Sequence, residues 1–512
     1  IQKVDHMAFY NCTNLSKIMF NEGLKEISDS PFANNYSLEV INLPNSLTTI
    51  KSSAFYNCLN LHIVNTTSQT KLNTIEQGAF ENTKIEELKL NPEINFHLEQ
   101  QDAPYLNNIA FHEGDLIHVR KLEDGTIYDL SGKLIFVPNN LEYLKIDSQC
   151  ESLAKNVLRG AKKLTTIEFL NKKPIEKSQI FEHNSNNNVK NMKFMNYFYI
   201  EGIFKSLESL ECMPNSTSNY IRTFSSCERL QKVVIPCKCY EISKGAFKNC
   251  INLKTVEFTP YVKSSSIEYL DIENEAFYNC CSLSSILIPA SINKIGVRAF
   301  MNCTKLKRVE FGYNKMLSNN KMIIHYNTNN SINLKSIENE AFKNCNSLES
   351  FSIPCFCDKV GSSTFMNCTN LRSIKYYCKD TLTIRFRTFK NCTSLTYFDF
   401  KVDYGEKSKF AIESESFMNC SALKKINIEA NYLPGNLFDV NTKKLPNYCF
   451  YSRQKIHKKA FCNCKSLVSA RFFIPSLDAI GEKAFMNCSS LKSLEINSGY
   501  YSLMLNKNFD ST

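Results

Sequence analysis

Tryptophan is absent from these 512 residues, and histidine occurs only eight times. The histidines, His6, His62, His97, His112, His118, His183, His325 and His457, hold no common position. No run of about 18 apolar residues exists, which excludes a membrane-spanning helix within this chain. A zinc-protease HExxH, a glycine-rich phosphate loop and a nucleophile elbow are all missing. The densest titratable group, His112, Glu113, Asp115 and His118, reads as a solvated loop. The chain is therefore expected not to be an enzyme, and to use neither a metal nor a cofactor. Its 22 cysteines fall well below the roughly 8–10% of a disulfide scaffold.

One phrase fills the chain instead. It is written most clearly as Ala299-Phe300-Met301-Asn302-Cys303-Thr304-Lys305-Leu306 and recurs about sixteen times. The step between phenylalanines is 23 residues from Phe9 to Phe32, Phe32 to Phe55, Phe277 to Phe300 and Phe342 to Phe365. A fixed period of roughly 20 to 50 residues marks a solenoid and removes the usual inference from length to domain number. Val4, Ala8 and Phe9 already stand mid-unit, so the sequence reads as starting inside a larger protein.

Within the unit Ala276–Arg298, the apolar positions are Ala276, Phe277, Cys280, Leu283, Ile286, Ile288, Ile292 and Ile295. Leu283-x-x-Ile286-x-Ile288 has the alternation of a short strand, with Pro289 expected to end the ladder because it carries no N–H. The Ala-Phe-x-Asn-Cys segment is too short for a crossover helix and reads as a turn of α- or 3₁₀-helix on the outer side. Stacked units would form a parallel sheet on the concave face, with Phe, Leu, Ile and Cys in columns along the axis. The fold class is an α/β repeat: a solenoid of short strands and helical turns, interrupted by hairpin and loop insertions.

Three segments follow from where the phrase holds. Residues 1–91 and 203–512 keep it, whereas 92–202 lose Phe-x-Asn-Cys but retain strands such as Leu141-x-x-Leu144-x-Ile146. Leu116–Val137 carries Asp124-Gly125 and Ser131-Gly132 between apolar runs, which predicts added hairpin strands. Asparagine-rich loop insertions are expected at 184–188 and near 312–336, and a further loop at 429–455.

Twelve cysteines occupy the repeat position, including Cys58, Cys250, Cys303 and Cys368, and read as free thiols filling the core. Cys237-x-Cys239 and Cys355-x-Cys357 resemble metal half-sites but lack histidine partners at zinc-finger spacing, so packing or a local disulfide is favoured. Asn-Cys-Thr/Ser makes glycan acceptor sequons at Asn302, Asn367, Asn391, Asn419 and Asn487. The same Asn recurs without a sequon at Asn249, Asn279 and Asn344, which points to a structural role in capping a turn on the next coil. Asn215 and Asn329 are the better glycan candidates.

These motifs resemble the BspA-like leucine-rich repeat family, whose unit Ala-Phe-x-x-Cys-x-x-Leu-x-x-Ile-x-Ile-Pro-x-x-Val-x-x-Ile-Gly is matched by Ala276–Gly296 and Ala460–Gly481. The resemblance implies a curved solenoid displayed outside the cell and used for adhesion. Net charge is +11, yet outward strand positions are near parity. Lys17, Lys89, Lys145, Lys232, Arg308, Lys375, Lys425 and Arg471 stand against Glu87, Glu168, Glu211, Glu257, Glu310, Asp399 and Glu495. Parity argues against nucleic acid, and with Tyr143 and Tyr397 it favours protein or glycoprotein partners. The candidate contact residues are Tyr143, Lys232, Glu257, Arg308, Glu310, Lys375, Tyr397, Asp399, Lys425 and Arg471. The alternative is a structural scaffold inside the cell, with which a thiol-rich core is compatible.

Overall fold

The structure is a computed structural model. It describes residues 1–76, 78–90, 95–96, 108–111, 119–153, 157–158, 161–170, 188–194, 206–212, 220–221, 224–237, 239–259, 269–316, 322–326, 332–354, 357–378, 382–404, 410–432, 454–473 and 477–497. The chain divides into two compact units, Ile1–Gly202 and Ile203–Thr512.

Every regular coil carries two strands. The longer follows the repeat leucine, as in Ser285–Pro289, and pairs in parallel with its counterpart one coil on, Arg308–Met316. In the second unit the strands Ser350–Ile353, Ser373–Cys378, Tyr397–Tyr404, Lys425–Tyr432, Ser469–Phe473 and Ser493–Asn497 form one such sheet without a register shift. The shorter strand holds the Ile-x-x-Ile end of the unit: Glu241–Ile242, Leu270–Ile272, Ile292–Ile295, Ser336–Ile337 and Lys359–Val360 pair in parallel as a second sheet. The first unit repeats the plan with Lys17–Met19, Val40–Asn42 and Ile63–Asn65, and with Lys3–Val4, Glu26–Ile27, Thr49–Ile50 and Thr74–Ile75.

Between the two sheets, side chains stack in columns. Phe9, Phe32, Phe55 and Phe80 lie ring on ring at 5.3–5.5 Å in the first unit. Ten rings from Phe224 to Phe485 do so in the second, with neighbouring centroids 5.0–6.1 Å apart. Phe247, Phe277 and Phe300 are fully buried within that column. Cysteines beside the buried rings have a defined bond. Cys280, Cys303, Cys345 and Cys368 each direct Sγ to the phenylalanine carbonyl of the preceding coil at 3.2 Å. Where the first unit has Asn35 in this place, its Nδ2 makes the same contact with Phe9 O at 3.0 Å. The position therefore wants a small donor, and a buried thiol supplies one. Burial pushes the Cys58 thiol up to about 12, which keeps the proton it donates. The described cysteines are free.

The expected outer helical turn is replaced by something tighter. Among the described residues no α- or 3₁₀-helix forms. The residues two before and two after each phenylalanine take positive φ: 58° at Glu275 and 63° at Asn279 around Phe277, 58° at Glu340 and 64° at Asn344 around Phe342. Main-chain donors then alternate. Glu275, Phe277 and Asn279 donate to Val297, Ala299 and Met301 of the next coil, whereas Ala276 and Tyr278 donate three residues back. A helix would keep every donor inside its own turn, so half of them committed to the neighbour prevents one. Asparagine recurs because its short polar side chain tolerates the left-handed region. Its backbone N–H, rather than its side chain, bonds the backbone of the next coil. The side chains form an amide ladder of their own, with Nδ2 of Asn344, Asn367, Asn391 and Asn419 each donating at 2.8 Å to Oδ1 of the asparagine one coil earlier.

Other expectations are settled by the backbone. Pro289 stays within its strand, paired with Gly312, while Pro236 and Pro354 follow theirs. Within 119–136 the turns at Gly125 and Gly132 join three antiparallel strands, Val119–Lys121, Ile127–Asp129 and Lys133–Phe136. The region near 312–336 begins not as a loop but as a hairpin, since Arg308–Met316 runs on past the usual proline place, held by Gly312, and turns back as Met322–Tyr326. Residues 184–187, 433–453, Asn215 and Asn329 lie outside the described residues.

Two measurements check this packing. A Cβ on Gly361 would stand 2.4 Å from Asn339 N and 2.5 Å from Glu338 C, both backbone atoms that cannot turn aside. Gly361→Ala should therefore cost about 1–3 kcal/mol, read as a lower urea midpoint at constant slope; wild-type stability would mean the coils are not this close. Because Asn367, Asn391 and Asn419 spend their amide nitrogens in the ladder, mass spectrometry of soluble protein from a glycosylating host should find all three unmodified.

Candidate binding face

Alternation in the longer strands sorts the surface. Ile286 and Ile288 are buried, so Ser285 and Leu287 point outward, and in each following strand the same two positions do so. In-register pairing makes them two columns, Ser350, Ser373, Tyr397, Lys425, Ser469 and Ser493 beside Ser352, Lys375, Asp399, Asn427, Arg471 and Glu495. Hydroxyl, amide and both signs of charge thus stand about 4.8 Å apart on a sheet where Lys375, Tyr397, Lys425 and Arg471 are exposed.

Nine of the ten candidate contact residues have described side chains. In the second unit Arg308, Lys375, Tyr397, Lys425 and Arg471 are exposed, and Lys232, Glu257 and Glu310 are half-buried. Asp399 pairs in register between Lys375 and Asn427, and its side chain lies outside the described residues. Two pairs already touch across the ladder: Lys232 Nζ lies 3.2 Å from Glu257 Oε2, and Arg471 Nε donates to Glu495 Oε2 at 2.8 Å. Tyr143 belongs to the first unit, where it is exposed and donates its hydroxyl to Glu168. Partial burial, followed by that carboxylate, pushes its phenol up to about 12.

A third exposed column carries no such alternation signal. It is the residue directly after the repeat leucine, one place before the strand proper. Its N–H bonds to the previous coil, as Lys307 does to Ser284 O at 2.8 Å and Arg372 to Glu349 O at 2.8 Å. The sequence marks it only as Leu-Lys or Leu-Arg at Leu253, Leu306, Leu371, Leu423 and Leu491. Strand alternation misses it because faces can be assigned only from the next residue onward.

The turn corner has a different electrostatic character. Arg298 Nε lies 2.6 Å from Glu340 Oε2, which also meets Lys343 at 2.6 Å through Oε1, and Lys248 meets Glu275 at 2.7 Å. Glu415 accepts from Arg387 Nε at 2.9 Å and Lys390 Nζ at 2.7 Å. Those two bonds outweigh burial and hold its carboxyl down at about 2. These charges are already neutralised by one another.

The chemistry of the remaining polar groups is structural. Cys239 and Cys357 are buried in the Ile292 place, and Cys239 Sγ faces Glu241 O at 3.2 Å, while Cys355 lies outside the described residues. No group of three His, Cys, Asp or Glu side chains that could hold a metal ion occurs among the described residues. His112, Glu113, Asp115 and His118 lie outside them. Among the described residues no helix is long and apolar enough to cross a membrane.

The family model for the BspA type leucine rich repeat region matches six copies, at residues 1–100, 131–254, 217–334, 270–396, 319–453 and 433–510. Among solved structures the chain is similar to a leucine-rich repeat protein from Bacteroides ovatus, at 19% identity over 96% of this chain and 82% of that one, TM-score 0.31. It is also similar to a leucine rich cell surface protein from Faecalibacterium prausnitzii, at 21% identity over 75% and 88%, TM-score 0.29. A third is the pneumococcal vaccine antigen PcpA, at 18% identity over 75% and 68%, TM-score 0.27. No curated protein matches the chain.

The Glu415 cluster gives a pH test. Its pKa is near 2 folded and about 4.3 unfolded, so its stabilisation is complete above the unfolded value and is lost as pH falls through the folded one. Glu415→Gln should lower the melting temperature at pH 7, and the difference from wild type should close between about pH 4.5 and pH 2. A constant difference across that range would show that the ion pairs are not its source.

Proposed function

Because the chain belongs to the BspA-type leucine-rich repeat family, we propose that it is a non-catalytic interaction module displayed at the cell surface, binding a protein or glycoprotein partner through its longer-strand sheet. The observation that carries this reading is the pair of in-register outward columns in the second unit. A strand ladder fixes the spacing of its side chains before any ligand arrives, so little ordering entropy is spent on association. Mixed charge and hydroxyls, with Tyr397 about half exposed between Ser373 and Lys425, suit a polar protein surface better than a lipid.

Arg308, Lys375 and Arg471 are the strongest candidates for contact, with Lys232, Glu257, Glu310, Tyr397, Asp399 and Lys425 around them. Tyr143 provides a separate contact on the first unit. Display outside the cell places these columns where an external partner meets them, and surface labelling of intact producing cells with an antibody to this chain tests it. An unlabelled surface would favour the intracellular scaffold instead.

Binding itself is tested with fluorescent purified chain on candidate target cells, with and without protease treatment of those cells. The variant Arg308→Glu, Lys375→Glu, Arg471→Glu should melt as wild type does and lose at least about tenfold in binding, equivalent to roughly 1.4 kcal/mol. Protease treatment should abolish the wild-type signal. Unchanged binding by the variant would rule out this face.

A further inference from the structure

Cations of the second unit fall into two kinds. At the turn corner, Lys248, Arg298, Lys343, Arg387 and Lys390 each lie within 4.0 Å of Glu275, Glu340 or Glu415. On the shorter-strand sheet Lys294 and Lys359 are matched by Glu273 and Glu338. After the repeat leucine the arrangement is reversed. Lys254, Lys307, Arg372, Lys424 and Lys492 are all exposed, and none of them forms an ion pair among the described residues. Lys254 donates to a neutral amide, Gln231 Oε1, at 3.1 Å.

Their spacing is regular. Main-chain bonds between coils set the column order from Ser284 to Lys307, Glu349, Arg372 and Thr396, and from Lys424 to Val468 and Lys492. The ring stack of Phe247 on Phe277 places Lys254 one coil before Ser284, and Lys424 N bonds back to Thr396 O. A cation therefore occupies every second coil. With parallel strands about 4.8 Å apart, the pitch is about 9.6 Å and five cations span roughly 38 Å. In the first unit the same column holds Ser16, Glu39, His62 and Glu86, and further on Glu142, Thr165 and Lys190, so a cation at every second coil is found in the second unit and not among these positions.

A ligand that pairs with every cation needs an anion at that pitch. An extended β-strand repeats one face every 6.6–6.8 Å and loses register at once. An α-helix returns after seven residues, about 10.5 Å, and accumulates an error of about 3.6 Å over four intervals. A polyproline II helix has three residues per turn at about 3.1 Å each, so one face repeats every ~9.3 Å. Its error over the whole row is about 1.2 Å, within the swing of a lysine side chain. Intervening residues agree with this choice. Glu349, exposed between Lys307 and Arg372, repels a polymer with an anion at every coil, while Val468 offers an apolar contact for a proline ring. A nucleic acid strand carries denser charge, and the column has no aromatic platform for its bases.

We propose that this row docks a protein segment in the polyproline II conformation with an acidic side chain at every third residue. The proposal rests on the longer-strand sheet being a protein-binding face, and its five residues are distinct from those whose reversal tests that face.

The experiment uses the full chain and a fluorescein-labelled peptide of five Glu-Pro-Pro triplets, read by anisotropy at 50 and 150 mM salt. Comparators are a peptide of the same composition with its five glutamates contiguous, a sulfated polysaccharide and a fifteen-nucleotide oligothymidine. The periodic peptide should bind at least tenfold more tightly than the block peptide. Lys307→Glu, Arg372→Glu, Lys424→Glu should reduce that binding at least tenfold with an unchanged melting temperature, and the neutral set Lys307→Gln, Arg372→Gln, Lys424→Gln should weaken it in the same direction. Glu349→Lys should narrow the gap between the two peptides. Equal affinity for both, tighter binding of the polysaccharide or oligonucleotide, no binding at all, or full binding by the folded reversal variant would each overturn the proposal. If the periodic peptide fails while cell binding still depends on Arg308, Lys375 and Arg471, the pitch argument falls and the binding face stands.

Discussion

Each coil must present its neighbour with the same backbone groups at the same places. That requirement explains more of this protein than any single side chain. The donors of Glu275, Phe277 and Asn279 leave their own turn for Val297, Ala299 and Met301, and the pattern repeats around Phe342 and Phe389. Holding two positive-φ residues per turn is costly for glutamate or arginine. Three inter-coil bonds and a buried ring offset the cost, and the ring stack, the thiol–carbonyl contacts and the amide ladder then fall into line at one spacing. Stability of this kind is a sum over neighbours rather than a property of one central core.

Much of that was legible in the amino-acid sequence, and the limits were physical. Phe300, Cys303 and Leu306 announced buried columns because apolar identity survives averaging over repeats. Leu283-x-x-Ile286-x-Ile288 announced a strand because alternation is a two-residue signal. Ile292 and Ile295 concealed the second sheet, since two residues three apart carry no alternation to read. The segment from Ala299 to Cys303 suggested a helical turn because it is too short for a crossover helix; only the demand of the next coil for donors decides against one. The asparagine pattern was visible, but its partner was mistaken, as one repeat cannot reveal a contact made between two. Of the binding face, the two outward columns could be read directly. The lysine column needed the coil order, which exists only in the folded chain.

The surface is divided by what its charges already touch. Turn-corner cations meet carboxylates that the same chain supplies, and the Glu415 carboxyl held at about 2 records how complete that matching is. Such pairs at a half-exposed edge add modest stability and offer little to a partner. On the longer-strand sheet the balance is looser: some pairs close, as between Arg471 and Glu495, and others are left open to solvent. Open charges on a stiff ladder favour specificity and association rate over bulk affinity.

The ring column also shows how the chain absorbs extra length. Phe300 stacks on Phe342 at 5.2 Å across a 42-residue excursion, and Phe417 on Phe461 at 5.1 Å across 44, within the 5.1–6.1 Å range of neighbours separated by 23. Surplus residues leave after the longer strand and return before the shorter one without parting the rings. That exit is a port in an otherwise closed winding, where a foreign loop, a tag or a whole small domain can be grafted and the scaffold on either side need not notice.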